Sequence, residues 1–308
     1  MTTRTRRPAT KPRPTKAPKR REEPRSGRLW FLVAGAVLAL AMGGGLFYAF
    51  SGGGSVGTTE GLPRTPDYHS LLVAPGDPQS LLLGTHDGLH RSSDGGRTWT
   101  SYALPGQDAM NLKRASSATI WAAGHFVFAK SEDGGETWTD VRPDTLPNLD
   151  LHGFAVDARD PDTLYAAAAG VGLYRSRDAG ATFELVSEEV GGSVFGLAVT
   201  PDGRILAGDG GRGLVESGDG GTTWRELLPA AIAGLAVNPK DPQRILATGP
   251  GVYLSTDGGA TWRRVLEVED GVGPVAWSAS APGTAYVVGF DRTLHKTTDG
   301  GETWTVVG

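Results

Sequence analysis

The sequence predicts an all-β fold, a six-bladed β-propeller preceded by a single N-terminal transmembrane helix. Three observations carry this reading. One eight-residue pattern, Ser/Thr-x-Asp-x-Gly-x-Thr-Trp/Phe, recurs six times, and its aspartates stand 39, 45, 41, 38 and 42 residues apart. That period matches one propeller blade of four strands. The 308 residues include 46 Gly and 20 Pro but no Cys, which suits many short strands joined by tight turns. It also excludes disulfides, thiolate metal sites and a Cys nucleophile. Finally, a run of 22 uncharged residues lies close to the N-terminus.

Residues 1–28 carry 11 Lys/Arg and two Glu, a net +9, and are rich in Pro with hardly an apolar side chain. They read as a basic, disordered cytoplasmic tail. The rest of the chain holds 19 Lys/Arg against 32 Asp/Glu, a net −13. So acidic a body excludes nucleic acid as a partner, because phosphate binding needs a basic surface. Residues 29–50, LWFLVAGAVLALAMGGGLFYAF, would form a helix about 33 Å long, enough to cross a bilayer's hydrocarbon core. The positive-inside rule then keeps the basic tail in the cytoplasm and places the acidic body outside, with the membrane itself as one partner. Trp30, Phe47 and Tyr48 sit near the two ends of the span, where interfacial aromatics belong. The alternative is a cleaved signal peptide with Ala39-Leu40-Ala41 as the cleavage signal. The run exceeds the roughly 7–15 residues of such a region, which favours a retained signal anchor. Residues 51–65 form a Gly/Ser-rich linker, and residues 66–308 the propeller.

The six repeats are SSDGGRTW, SEDGGETW, SRDAGATF, SGDGGTTW, STDGGATW and TTDGGETW, with aspartates Asp94, Asp133, Asp178, Asp219, Asp257 and Asp299. Blade one reads as strands at His69–Val73, Ser80–Gly84, Leu89–Ser92 and Thr98–Tyr102. Gly-Asp-Pro at 76–78 turns the first into the second. Asp-Gly-Gly at 94–96 turns the third into the fourth, since Gly supplies positive φ and the Asp and Ser side chains bond the turn's amides. The closing Trp or Phe buries its ring between blades. Turn chemistry accounts for these aspartates, so they read as structural hinges and not as catalytic or metal-binding groups. Thr303–Val307 supplies the outer strand of blade six, so ring closure rests on packing of blade six against blade one without strand exchange.

The repeat resembles the Asp-box, or BNR, motif of sialidases, some endoglucanases, sortilin-type receptors and photosystem assembly factors. The resemblance covers residues 66–308 and implies a six-bladed Asp-box β-propeller. These relatives share the blade and differ in activity, so it implies little about function. The segments YHSLLV, GTHDGL, AGHF and DLHGF are similar to those of bacterial Asp-box proteins labelled glycosylhydrolases.

Aligning the blades brings four of the six histidines to two equivalent positions. A shift of 39 puts Asp108 on His69 and His125 on His86, and a shift of 83 puts His152 on His69. These positions are the start of the innermost strand and the end of the second, which share one rim opposite the Asp-box turns. His69, His86, Asp108, His125 and His152 are therefore the candidate ligand-binding residues, lining the channel mouth across blades one to three. Phe195, Ala233, Gly273, Gly210 and Pro250 occupy the equivalent positions in later blades, so the rim is lopsided. His with Asp suits a divalent metal such as Zn²⁺, with His69, His86, His125 and His152 as ligands, or general acid–base work. Hydrogen bonding of the imidazoles to inner-rim backbone is the other reading. No cofactor is demanded.

A binding role for a protein or glycan ligand is the preferred function, because short, even blades leave no long loops to wall a cleft. Glycoside hydrolysis of exo-sialidase-like or related type is the alternative, and it needs two facing carboxyl groups. Asp87, Asp108, Asp150, Asp209 and Asp291 all fall in or beside loops of the ligand face, so no pair stands out. Resemblance to sialidases implies three arginines and a Tyr–Glu nucleophile pair. Arg64, Arg142, Arg212 and Arg292, with Tyr68, are expected on that face, yet the family's Phe/Tyr-Arg-Ile-Pro motif is missing and Arg64 sits in LPRT.

Overall fold

The computed structural model describes residues 58–190 and 192–307. The tail, the apolar span 29–50 and linker residues 51–57 lie outside the described residues, and no described helix is long and apolar enough to cross a membrane. The described residues form six antiparallel sheets around one axis. Blade one comprises Tyr68–Ala74, Asp77–Thr85, Gly88–Ser92 and Thr98–Ala103, from the axis outwards. Blade two comprises Asp108–Arg114, Ile120–His125, Phe128–Ser131 and Thr139–Asp140. The innermost strands of blades three to six are Leu151–Asp157, Val194–Val199, Gly234–Val237 and Val272–Trp277. The predicted blade-one strands agree to within a few residues. Thr58–Glu60, read from sequence as linker, instead pairs antiparallel with Thr98–Ala103 as a fifth, outer strand of blade one.

The core is a ring of six apolar wedges, one between each pair of neighbouring blades. Leu82, Leu89, Leu112 and Ile120 meet between blades one and two. Trp121, Phe128, Phe154 and Leu164 meet between two and three. The second strands are buried on both faces, as in Leu164 to Ala168 of Asp160–Ala168, which is why they read as unbroken apolar runs. The closing aromatic of each repeat packs back on the preceding blade: Trp138 on blade one, Phe183 on two, Trp224 on three and Trp304 on five. Trp99 of blade one, fully buried, joins Leu81 and Leu83 with Tyr286, Val288 and Leu294 of blade six. The Tyr286 hydroxyl donates to the Pro78 carbonyl at 2.9 Å across the same junction. Among the described residues Thr305–Val306 pairs only with Leu294–Thr297 of its own blade, so there the ring closes by packing, as the sequence predicts.

The Asp boxes repeat one hydrogen-bond pattern. In blade four, Ser217 Oγ donates to Asp219 Oδ1 at 2.8 Å and accepts from the Gly221 amide at 2.8 Å. The Thr223 amide and hydroxyl donate to the two carboxylate oxygens at 2.8 and 2.7 Å. Trp224 Nε1 then donates to the Gly221 carbonyl at 3.0 Å, so the turn aims the ring into its wedge. Gly220 and Gly221 take φ of 75° and 100°, values that disfavour side chains bearing Cβ. Donation by the following threonine holds the Asp178, Asp219 and Asp257 carboxyls down to about 2. A carboxyl titrating at about 3.9 in the unfolded chain and at about 2 in the fold contributes stability above pH ~4 and loses it as the pH falls towards 2. Carboxyl-carbon NMR titration will find these aspartates near 2; titration near 3.9 contradicts the network. Trp99→Ala will lower unfolding free energy by about 3–5 kcal/mol in denaturant titration, as a buried ring is lost at the closing wedge.

Candidate functional site at the channel mouth

Every innermost strand except that of blade five, which pairs in regular register, enters its blade through a register irregularity at the end opposite the Asp boxes. In blade one, Tyr68 pairs with Thr85 and Ser70 with Gly84, leaving His69 in a bulge. In blade three, Leu151 pairs with Ala168 and Gly153 with Ala167, leaving His152 in the equivalent bulge. Blade four repeats this at Phe195. A bulge re-aims the extra side chain, here towards the mouth. In blade two, Asp108 itself pairs with His125, and the irregularity follows it. Gly124 allows this, because a Cβ there would stand 1.9 Å from the Asp108 carbonyl oxygen. His125 also bridges to Asp150, and the Phe126 amide donates to the Leu149 carbonyl at 2.9 Å, fastening blade two to three at the rim.

All five predicted residues meet at this rim, with two that sequence reasoning did not place in the group, Asp67 and Asp150. Six of the seven form two clusters, Asp67–His69–His86 and His125–Asp150–His152, with Asp108 between them. In the first, Asp67 Oδ1 stands 2.9 Å from His69 Nε2 and 3.7 Å from His86 Nδ1. Asp108 presents Oδ1 to His69 Nε2 at 3.2 Å and Oδ2 to His86 Nδ1 at 3.1 Å. In the second, His125 Nε2 and His152 Nε2 face each other at 3.0 Å, with Asp150 Oδ1 at 3.5 and 3.1 Å. Asp108 Oδ2 lies 3.8 Å from His125 Nδ1, the ring nitrogen turned away from the second cluster. The His125 and His152 rings stack with centroids 5.0 Å apart, and Phe195 stacks on the far side of His152 at 5.3 Å.

Asp108 is 7% exposed and His152 6%. Asp67 Oδ1, His69 Nε2, Asp108 Oδ1 and Asp150 Oδ1 are buried without a well-directed hydrogen bond. They are close to partners but not aimed along hydrogen-bond directions, so backbone bonding at the inner rim does not account for them. Burial disfavours charge on His69, but the close carboxylates of Asp67 and Asp108 raise its pKa above the usual imidazole value. Burial pushes the Asp67 carboxyl up, and the three neighbouring histidines outweigh this and lower it. Burial dominates at His152, which is lowered despite Asp150. Three carboxylates against four imidazoles form a donor set suited to a divalent cation of the Zn²⁺ type.

The other sequence candidates go elsewhere. Asp209 caps a turn by accepting from the Gly211 and Arg212 amides, and Asp291 does so with Thr293. Tyr68, expected beside a sialidase-like site, is buried and donates its hydroxyl to the Pro63 carbonyl at 2.7 Å. Arg64 lines a groove with Glu60, Leu62 and His90 at blade one's outer edge, drawn there by the added strand and not by the mouth. Arg142 pairs with Asp140 and Arg212 with Glu189. Arg292 donates to the Thr65 carbonyl at 3.5 Å near Tyr68, so with Arg64, Arg142 and Arg212 placed as above the four arginines do not converge on the His/Asp clusters.

Six Asp-box blades around an axis with a His/Asp rim define the class, a BNR-type β-propeller with a polar channel mouth. The family model for the photosynthesis system II assembly factor YCF48 matches residues 73–304, and the chain belongs to that family. A structure of YCF48 bound to a D1 peptide is 16% identical, with TM-score 0.52, covering 85% of this chain and 86% of that one. The GH74 xyloglucanase of Xanthomonas campestris is 17% identical, with TM-score 0.57, over 82% of this chain and 47% of that one. Among curated proteins, the dispase autolysis-inducing protein of Streptomyces mobaraensis is 28% identical over 143 residues, 46% of this chain and 37% of that protein. The chain thus spans little more than a third of that relative, and the structural likenesses bear on fold alone.

Gly124→Ala will displace the Asp108 strand end. The variant will fold with near-wild-type tryptophan fluorescence while the His125 ring resonances shift in NMR spectra; unchanged imidazole resonances contradict this packing.

Proposed function

We propose that this chain is a membrane-anchored, extracytoplasmic propeller that binds a protein segment at the channel mouth opposite the Asp-box turns, with a divalent cation held by the rim histidines. The observation that carries it is the pairing of the His/Asp cluster with exposed apolar side chains on the same face. Phe126, next to His125, is 79% exposed and holds φ of 60°, a conformation that costs a bulky residue on the order of 1 kcal/mol or more. Phe290 and Val171, in the corresponding loops of blades six and three, are also exposed. A flat rim with projecting aromatics suits a protein surface better than a small molecule. The family membership and the YCF48 structure with a D1 peptide support the same class of ligand. The basic tail and the span 29–50 support anchoring with the body outside.

Protease added to intact cells will remove the body and leave the tail protected. Protection of the whole chain would overturn the assigned topology. The binding reading is tested with the full-length chain on peptide and glycan arrays, beside a chromogenic glycoside screen. Expected are retention on a subset of peptides, a loss of at least tenfold in Phe126→Ser with the melting temperature unchanged, and no glycoside turnover. Turnover without peptide retention would install the glycosidase alternative instead.

A further inference from the structure

We infer that the mouth holds two inequivalent Zn²⁺-type sites, one closed by four protein donors and one left with an open corner that takes a carboxylate from an incoming ligand. This rests on the mouth being the functional face, and it adds the number of ions, their ligands and what one of them can bind.

Four ligands at about 2.1 Å from Zn²⁺ at tetrahedral corners lie about 3.4 Å apart. In the Asp67 cluster the contacts among Asp67 Oδ1, His69 Nε2, His86 Nδ1 and the Asp108 oxygens run from 2.9 to 3.7 Å. In the Asp150 cluster the three separations are 3.0, 3.1 and 3.5 Å. All three separations of the Asp150 set, and these four contacts of the Asp67 set, bracket the tetrahedral edge.

Asp108 is more than nine-tenths buried, and its Oδ1 has no hydrogen bond, as have neither Asp67 Oδ1, His69 Nε2 nor Asp150 Oδ1. Buried polar atoms without partners are rare; three of these stand at the first cluster and Asp150 Oδ1 at the second, beside the His125–His152 nitrogen pair, and a cation at each cluster would satisfy them. Two divalent ions also offset the three carboxylates, with one positive charge over.

The inequivalence follows from Asp108. Its two oxygens each address one imidazole of the Asp67–His69–His86 group, so it is placed to become the fourth donor once an ion draws it in. Towards the second site it meets only His125 Nδ1, at 3.8 Å, the nitrogen that does not point at Asp150 and His152. There Asp108 is a positioning residue, a carboxylate behind a ligating imidazole. The second site keeps two histidines and one aspartate, the pattern of a cation with an exchangeable position. Phe126, which follows the ligating His125 in the chain, is 79% exposed, so an incoming side chain has a surface to meet next to this site.

The test uses the full-length chain stripped by chelator and reloaded with Co²⁺, counted by elemental mass spectrometry and followed by visible absorption. Wild type will hold two ions per chain, and Asp67→Asn and Asp150→Asn one each. Asp108→Asn will empty the first site and weaken the second about 10–100-fold. Acetate will shift the Co²⁺ spectrum of Asp67→Asn, which retains the open site, and leave that of Asp150→Asn unmoved. Should Asp67→Asn misfold by circular dichroism, His86→Gln removes the same site. One ion or none in wild type, or acetate shifting both variants or neither, would overturn the inference. The count is made without a protein ligand, so its failure leaves the docking reading standing, and failed docking leaves the ions standing.

Discussion

Every blade conceals its apolar faces only against the blades on either side, and all else in the structure depends on that packing. A four-stranded sheet with both faces greasy, such as the one containing Leu164 to Ala168, has no stable existence alone. The ring supplies the missing faces, and the wedge of Trp99, Tyr286 and Leu294 must therefore form without help from an exchanged strand. The Asp boxes serve this packing. They fix the outer hairpin of each blade and turn its closing ring back on the preceding blade, with the carboxylate charge stabilised by hydroxyls and amides on the spot.

The opposite end of the ring is relieved of that duty, and there the blades differ. Asp boxes consume the polar groups at one end, while at the mouth the register irregularities at His69, His152 and Phe195 direct side chains inwards. Blades one to three fill these positions with imidazoles and carboxylates. Blades four to six fill them with Phe195, Ala233 and Gly273, so the polar half of the rim faces an apolar half. The stiffness of the ring holds seven titratable side chains together whose mutual placement no single loop could maintain.

Much of this is legible in the sequence because the fold is periodic. Six copies of one turn supply a ruler, and sliding it along the chain brought His69, His86, Asp108, His125 and His152 to one rim. The same ruler contained a further signal: Asp67-x-His69 and Asp150-x-His152 stand 83 residues apart, so both added carboxylates could have been read from the repeated Asp-x-His. What the ruler misses lies off the repeat. Thr58–Glu60 pairs through its backbone with an outer edge, and nothing in Thr-Thr-Glu distinguishes it from linker. Its pairing draws Arg64 away from the mouth, and the Tyr68 bond to Pro63 is equally a product of the entering chain. Distances are also beyond the ruler: shared height around the axis does not reveal that His125 and His152 meet nitrogen to nitrogen.

The buried donors of the mouth converge on cations. Anomalous diffraction from crystals of zinc-loaded protein, recorded on both sides of the zinc absorption edge, tests it most directly. Two peaks are predicted, one enclosed by Asp67, His69, His86 and Asp108 and one by His125, Asp150 and His152. A map without peaks at the mouth, with the imidazoles bonded instead to ordered water or backbone, would contradict it.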